Sequence, residues 1–141
     1  MRIFYTLALL VGLAFIVGCE EIEDNRMVLL DEKIAVVNIS KSSGVGDVNL
    51  DIMLSFDDED SIQVFKNAIT TAIKKPTNVG QTKPDYDVLV EYEGGFPTHA
   101  IHLWLGEENE QSTLMYMVGE GETYVTTGQT TNQLRKLLIS E

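Results

Sequence analysis

The two histidines of the chain, His99 and His102, lie three residues apart in an apolar stretch. Imidazole nitrogens at such close spacing can ligate zinc or another transition metal. The alternation of apolar residues around them indicates a strand, however, and residues three apart on a strand point to opposite faces. One ion could not readily take both side chains. We therefore predict no metal site and expect a partly exposed histidine beside a turn.

An acidic run, Asp57-Asp58-Glu59-Asp60, is the second group that could bind a ligand. The run lacks the alternating oxygen ligands, the central glycine and the terminal glutamate of an EF-hand calcium loop. Carboxylates just before a helix are favourable because they accept hydrogen bonds from its free N–H groups and interact with its dipole. The run therefore favours a helix cap, from Asp58 or Asp60, over a calcium site.

Further carboxylates occur near the predicted hairpin ends, at Glu91, Glu93 and residues 107–110. Two acids about 5 to 9 Å apart around a cleft could act as a glycosidase pair. Solvated turns explain these side chains equally well. The chain has no Gly-x-Ser-x-Gly nucleophile elbow either, so we predict no catalytic residue and no cofactor.

The balance of charge limits the classes of partner. The 141 residues include 10 Lys+Arg and 22 Asp+Glu, which corresponds to a formal net charge of −12. Nucleic-acid binding needs clustered cations, but the only close basic pairs are Lys74-Lys75 and Arg135-Lys136. We expect no nucleic-acid partner. We also expect an anionic membrane to repel the acidic domain, which would hold it out in solvent.

The N-terminal segment has the features of an export signal. Met1-Arg2 supplies a positive charge, and residues 3–17 are apolar with only Thr6 and Gly12 as interruptions. A run of this length suits a signal peptide better than a membrane-spanning helix, which needs about 20 apolar residues. Residues 1–18 are therefore expected to be a signal peptide that is removed.

The signal ends in Ile16-Val17-Gly18-Cys19, which resembles the lipobox of bacterial lipoproteins. The resemblance implies cleavage between Gly18 and Cys19, a diacylglyceryl group on the Cys19 thiol, and often a further acyl chain such as palmitate on the new amino terminus. Two or three chains anchor a protein stably, whereas one binds a bilayer only marginally at about 0.8 kcal/mol per methylene. An uncleaved single-pass anchor and an ordinary secretory signal are the alternatives. We favour lipidation because Cys19 is the only cysteine and lies where this chemistry requires it.

The remaining chain is long enough for one domain and too short for two. Residues 19–32 contain the lipidated cysteine and a tether, which is acidic at first and ends in the apolar patch 27–30. We expect this patch to dock on the domain. The domain itself is predicted to occupy residues 33–141.

Six stretches of the domain are rich in β-branched and alternating apolar residues, a pattern typical of strands. They are residues 33–40, 48–56, 86–92, 98–105, 112–118 and 123–127. Turn residues separate neighbouring stretches, which predicts hairpins. In the second stretch the alternation places four side chains on one face, namely Leu50, Ile52, Leu54 and Phe56.

Two helices complete the predicted elements. The first follows the acidic run and should end at Pro76, after Lys74-Lys75. Its apolar stripe is Ile62, Phe65, Ile69, Ala72 and Ile73. The second should begin at a cap on Thr130 or Thr131, and its stripe is Leu134, Leu137 and Leu138. The order strand, strand, helix, four strands, helix predicts an α+β fold, an antiparallel sheet with both helices packed on one face.

With these elements the chain resembles the small lipoproteins of bacilli that carry a YhfM-like domain. The resemblance rests on the lipobox, the alternating strand at 86–92, the strands at 114–118 and 124–127 and the helix at 132–138. It implies the same α+β domain at the surface of a Gram-positive cell. It implies no catalytic residue.

Strand parity divides the sheet residues into two faces. One set should face the helices: Val88, Val90, Ile101, Leu103, Leu114 and Tyr116. The other set lies opposite: Leu89, His102, Trp104, Met115 and Met117. A sheet face open to water is usually polar, so this partly apolar face should be covered or bind something. We expect residues 27–30 to fold across it. The alternative is a docking surface for another envelope protein, with Trp104 as its anchor.

The sequence thus predicts a membrane-anchored extracytoplasmic lipoprotein whose domain is non-enzymatic and binds or supports another component of the cell envelope. The alternative is a receptor for a small solute or a cell-wall fragment, or a hydrolase, with a pocket at the hairpin ends near Phe96 and His99. A deep cleft lined by converging polar groups would favour that alternative, and a flat sheet face would favour docking.

Overall fold

The computed structural model describes residues 25–139, which form one antiparallel sheet of seven strands and two helices. The predicted α+β fold with both helices on one sheet face is confirmed, because apolar residues of both helices pack in one core with the sheet. The predicted signal peptide, Cys19 and the acidic start of the tether lie outside the described residues. Within 25–139, neither helix has the length and apolar content to cross a membrane.

The strands are β1 (Ile34–Lys41), β2 (Ile52–Phe56), β3 (Ile73–Lys74), β4 (Tyr86–Tyr92), β5 (His99–Trp104), β6 (Thr113–Tyr116) and β7 (Thr123–Val125). The helices are α1 (Glu59–Thr70) and α2 (Gly128–Leu138), and a short 3-10 helix spans Val79–Gln81. Across the sheet the order is β2-β1-β4-β5-β6-β7-β3, and all neighbours are antiparallel. β2 and β3 are therefore the two edges.

The first helix is shorter than predicted and accounts for the seventh strand. α1 ends at Thr70, and the predicted continuation to Lys75 is wrong. Ile73 and Lys74 form β3 instead, opposite Val125 and Tyr124 of β7. Pairing with β7 gives the backbone N–H and C=O groups of these residues hydrogen-bond partners, as a last helical turn would also do. As a result Ile73 is half exposed and does not belong to the apolar stripe.

The helix caps confirm one prediction and correct another. Asp58 caps α1, because its carboxylate accepts a hydrogen bond from the Ser61 N–H at 2.9 Å. This bond lowers the pKa of Asp58. α2 begins earlier than predicted, and Thr127 is its cap, with a bond from the Thr130 N–H at 3.2 Å. Thr131 is instead buried against the Ser112 hydroxyl at 2.7 Å.

A β-bulge in β2 changes the faces predicted for that strand. The register against β1 shifts so that Ser40 pairs with Ile52, which makes Met53 the extra residue. Directly opposed residues share a face, so Ile52 lies on the side away from the helices. The predicted common face of Leu50, Ile52, Leu54 and Phe56 is therefore wrong. The core retains only the last two of these side chains.

Candidate functional site

The residues that we predicted as a docking surface are largely inaccessible. Leu89, His102, Trp104 and Met115 are at most 8% exposed, and Met117 is half-buried. Loops at residues 42–51 and 76–85 make hydrogen bonds on this sheet face. The Trp104 indole N–H, for example, donates to the carbonyl and hydroxyl oxygens of Thr82 at 3.2 and 3.1 Å. The alternative of an open docking face anchored by Trp104 is therefore wrong, because the chain covers the face with its own loops.

Residues 27–30, which we call the strap, are held on the helix side of the sheet. The Tyr116 hydroxyl accepts a hydrogen bond from the Val28 N–H at 2.6 Å and donates one to the Val28 carbonyl at 2.7 Å. The Tyr92 hydroxyl accepts a bond from the Leu30 N–H at 3.2 Å. Because side chains alternate along a strand, Tyr92 in β4 and Tyr116 in β6 lie on the same face as the residues that pack against the helices. The strap therefore docks on the domain, but the prediction that it crosses the opposite face is wrong.

The strap is also part of the hydrophobic core. Met27 and Leu29 are buried and pack with core residues of the sheet and helices, whereas Val28 between them is exposed. This alternation matches an extended segment that lies flat on the core. The folded domain accordingly includes residues 25–32 and begins before the predicted boundary at residue 33.

A buried acid–imidazole pair lies under the loop 42–51. Asp87 and His102 are directly opposed on β4 and β5, and Asp87 Oδ1 is 2.9 Å from His102 Nδ1. Both side chains are fully buried. The second Asp87 oxygen accepts a bond from the Asn49 N–H at 2.9 Å, and His102 Nε2 accepts one from the Gly46 N–H at 3.0 Å. These bonds place the imidazole proton on Nδ1 and the free electron pair on Nε2.

A carboxylate that orients an imidazole is also the arrangement of a general base. In this domain the nitrogen that would accept a proton is already bonded to Gly46, a glycine with φ of +82° that turns the loop onto the sheet. The pair therefore holds the loop in place. The expectation of a partly exposed histidine is wrong for His102 and confirmed for His99, which is half-buried. Sequence reasoning missed Asp87, whose partner is decided by the β4–β5 register.

His99 contacts the strap through Tyr92. The Tyr92 hydroxyl lies 2.6 Å from His99 Nδ1, and it can donate its proton there while it accepts the bond from Leu30. Desolvation lowers the pKa of His99 and raises the pKa values of Tyr92 and Tyr116. The neutral imidazole is therefore the form that this site stabilises.

We expect the domain to lose stability as the pH falls below about 6.5, the ordinary histidine value. A lowered pKa in the folded state means that the unfolded chain binds the proton first. Stability is therefore fully present above the unfolded pKa and decreases as the pH falls toward the folded one. Melting temperatures at pH 7.5 and 5.5 should differ less in His99→Gln than in the wild type. An equal drop in both proteins would contradict the assignment to His99.

The predicted carboxylates do not converge. Glu91 and Glu93 lie near the β4–β5 turn, whereas residues 107–110 lie in the β5–β6 turn at the other end of β5. Glu91 accepts a bond from the Asn38 amide at 2.6 Å, and Glu93 is 3.2 Å from Lys33. A glycosidase-like pair drawn from these two groups is therefore excluded by the length of the strand between them.

A surface groove of about 340 Å³ lies between the start of β1 and the N-terminal part of α1. Its polar lining consists of Glu32, Lys33, Asp57, Glu59, Lys66 and Glu93, together with Gln63. Phe96 and His99 do not line it, so this groove is not the pocket that was predicted beside them. Within residues 25–139, no three acidic or histidine side chains are arranged to hold a metal ion.

These features define an α+β domain with one antiparallel sheet, both helices on one face and covering loops on the other. A crystal structure described as a thioesterase-like protein from Clostridium sporogenes is similar, with a TM-score of 0.57 and 16% sequence identity. The match covers 77% of this chain and 96% of that one, and at this identity it shows the fold alone. Among curated proteins none matches the chain. The family model described as YhfM protein matches residues 31–141, and the chain belongs to the YhfM family.

Proposed function

We propose that this protein is an extracytoplasmic lipoprotein, held on the membrane by lipid on Cys19, whose domain binds another envelope protein without catalysing a reaction. The observation that carries the binding role is the exposed edge strand β2. The lipobox at residues 16–19 supports the anchor. The occupied nitrogens of His102 support a structural role for the acid–imidazole pair.

β2 differs from the other edge of the sheet because no described segment pairs with its outer side. Its sequence, IMLSF, contains no charge and no proline, which are common means of protecting an edge. Met53 in β2 is 45% exposed, and Leu50, two residues before the strand, is 76% exposed. At the other edge, β3 is two residues long and Arg26 forms an antiparallel bridge with Ile73. The bulge at Met53 confines regular pairing to the later part of β2, so a short added strand is the partner that fits.

The charges beside β2 favour a basic partner over a second copy of this chain. Asp51 precedes the strand, and Asp57 and Asp58 follow it. Two β2 strands paired antiparallel about Leu54 would place Asp51 of each copy opposite Asp57 of the other, and opposed like charges are destabilising. We propose an extended segment with Lys or Arg near both ends of its apolar part.

Photo-crosslinking in intact cells tests both parts of this proposal. A crosslinking amino acid at Leu50 or Met53 should produce one discrete protein adduct, whereas the same group at Gln133 of α2 should produce none. Cys19→Ala should move the protein from the membrane to the soluble fraction and abolish the adduct. Retention of Cys19→Ala on the membrane would contradict the lipid anchor. Equal adducts from Gln133, or none from β2, would contradict docking through the edge strand.

The groove between β1 and α1 supports a second candidate, a receptor for a small polar ligand or a hydrolase acting on one. Carboxylates and amines converge there, with Lys33 and Glu93 in contact and Lys66 nearby. A crosslinker at Gln63, which lines the groove, distinguishes the two candidates. An adduct from Gln63 in place of β2 would move the binding site to the groove.

A further inference from the structure

The described chain begins at a point fixed to the sheet edge. The Asn25 carbonyl accepts a hydrogen bond from the Lys74 N–H at 2.6 Å, and the next residue, Arg26, bridges to Ile73. Asn25 is only six residues after Cys19. At about 3.5 Å per residue, this length of chain spans at most about 20 Å in any conformation. A domain acylated at Cys19 therefore keeps Asn25 within about 20 Å of the lipid headgroups.

Asn25 lies at the end of the sheet from which two hairpin turns project. The Lys75 N–H donates to the carbonyl of Thr123, the first residue of β7, at 3.0 Å. The Met117 N–H donates to the Ala100 carbonyl at 3.0 Å, which places the β6–β7 turn beside the start of β5. The β4–β5 turn precedes β5 at this same end. We call this end, with turns 93–98 and 117–122, the tether end.

Apolar side chains are exposed at the tips of both turns. Val118 in the β6–β7 turn is 91% exposed, and Phe96 in the β4–β5 turn is 42% exposed. Val28 of the strap, bonded to Tyr116 at the top of β6, is exposed as well. Aromatic and aliphatic side chains on a surface close to a bilayer gain free energy when they enter its interfacial zone. On the basis of the proposed lipidation of Cys19, we infer that Phe96 and Val118 enter the headgroup region, so that the tether end faces the membrane.

The charges at the tether end are mixed, because Glu32, Asp57 and Glu59 line the groove beside Glu93 at this end. Lys33 and Glu93 are 3.2 Å apart, and Lys74 and Glu122 are 2.7 Å apart. Acids that pair with lysines on the same surface contribute little net charge toward an anionic bilayer, and Glu120 is the remaining acid of the β6–β7 turn. The contact should therefore depend on apolar insertion and strengthen as salt screens the repulsion between these acids and an anionic bilayer.

Tryptophan reporters test this orientation on the full lipidated protein. Phe96→Trp and Val118→Trp are reconstituted in phosphatidylglycerol–phosphatidylcholine vesicles with brominated acyl chains, and Leu50→Trp on the β2 side is the matched exposed control. The native Trp104, which is buried, supplies a constant unquenched background. We expect the bromolipids to quench the added emission of the two tip reporters at least twofold more than that of Leu50→Trp.

Vesicle flotation in the same experiment separates the two proposals. Protein that floats with vesicles while its tip reporters stay unquenched would overturn the inferred orientation and leave the lipid anchor intact. Equal quenching of Leu50→Trp would overturn it as well. Lipidated protein that fails to float would contradict both the anchor and the orientation.

Discussion

Asp87→Ala is expected to lower the free energy of unfolding by about 3–5 kcal/mol, because two buried donors each lose a hydrogen bond to a carboxylate, worth about 1.5–3 kcal/mol per bond. The Asp87 carboxylate accepts bonds from the His102 ring and from the Asn49 N–H, and the side chains of Asp87 and His102 are fully buried. A domain of this size has a total stability of about 5–15 kcal/mol, so the loss is a large part of it.

Urea unfolding of the unlipidated Cys19→Ser chain measures this effect. Asp47→Ala is the matched control, because Asp47 belongs to the same loop but has an exposed side chain, and it should change the unfolding free energy by less than about 0.5 kcal/mol. Replacing both members, as in Asp87→Val with His102→Leu, should cost less than the sum of the single changes, because neither side chain of the pair is then left buried without the other, and only the Gly46 and Asn49 N–H groups lose their acceptors. A loss below about 1 kcal/mol in Asp87→Ala would show that the pair does not hold the loop.

Met27→Ala should destabilise the domain by about 2–5 kcal/mol, the range for a large apolar side chain truncated in a packed core. Met27 is 2% exposed and packs with the core on the helix side of the sheet. The strap is thus a structural element of the domain, and it would connect the proposed membrane tether to the core. Its loss should also free the chain between Asn25 and β1.

Val28→Ala is the control for this prediction, since Val28 is the next residue in the same segment and is exposed. It should change the unfolding free energy by no more than about 0.5 kcal/mol. Thermal unfolding of both variants, together with limited proteolysis near residue 27, checks the result. Equal stability of Met27→Ala and Val28→Ala would mean that the strap is not part of the cooperative fold.

Local patterns in the sequence were sufficient for most of the elements. Alternation in residues 86–92 predicts β4, and the spacing of Phe65 and Ile69 predicts α1, because burial of one face imposes a period of two on strands and of 3.6 on helices. Asp58 could be predicted as a cap because capping depends on residues within one helical turn. The lipid on Cys19 stays a prediction of the same local kind.

At the sheet edge and at the bulge, the local structure was decided by pairing between strands. Ile73 and Lys74 continue a helical pattern, yet they pair with β7, whose backbone groups are far away in the sequence. Ile52 faces away from the helices because one extra residue, Met53, enters the strand. Neither outcome has a signature within a short window of sequence.

The sequence by itself determined the α+β class, the core-facing side chains of most elements and the apolar patch 27–30 that forms the strap. Only the tertiary structure decided that the strap lies on the helix side, that loops cover Trp104, and that Asp87 meets His102. The physical reason is that parity assigns a side chain to a face of one strand, whereas contact across strands depends on register and on which segment reaches that face first. The same holds for Phe96 and Val118, which the hairpin topology brings to the end of the sheet where the tether enters.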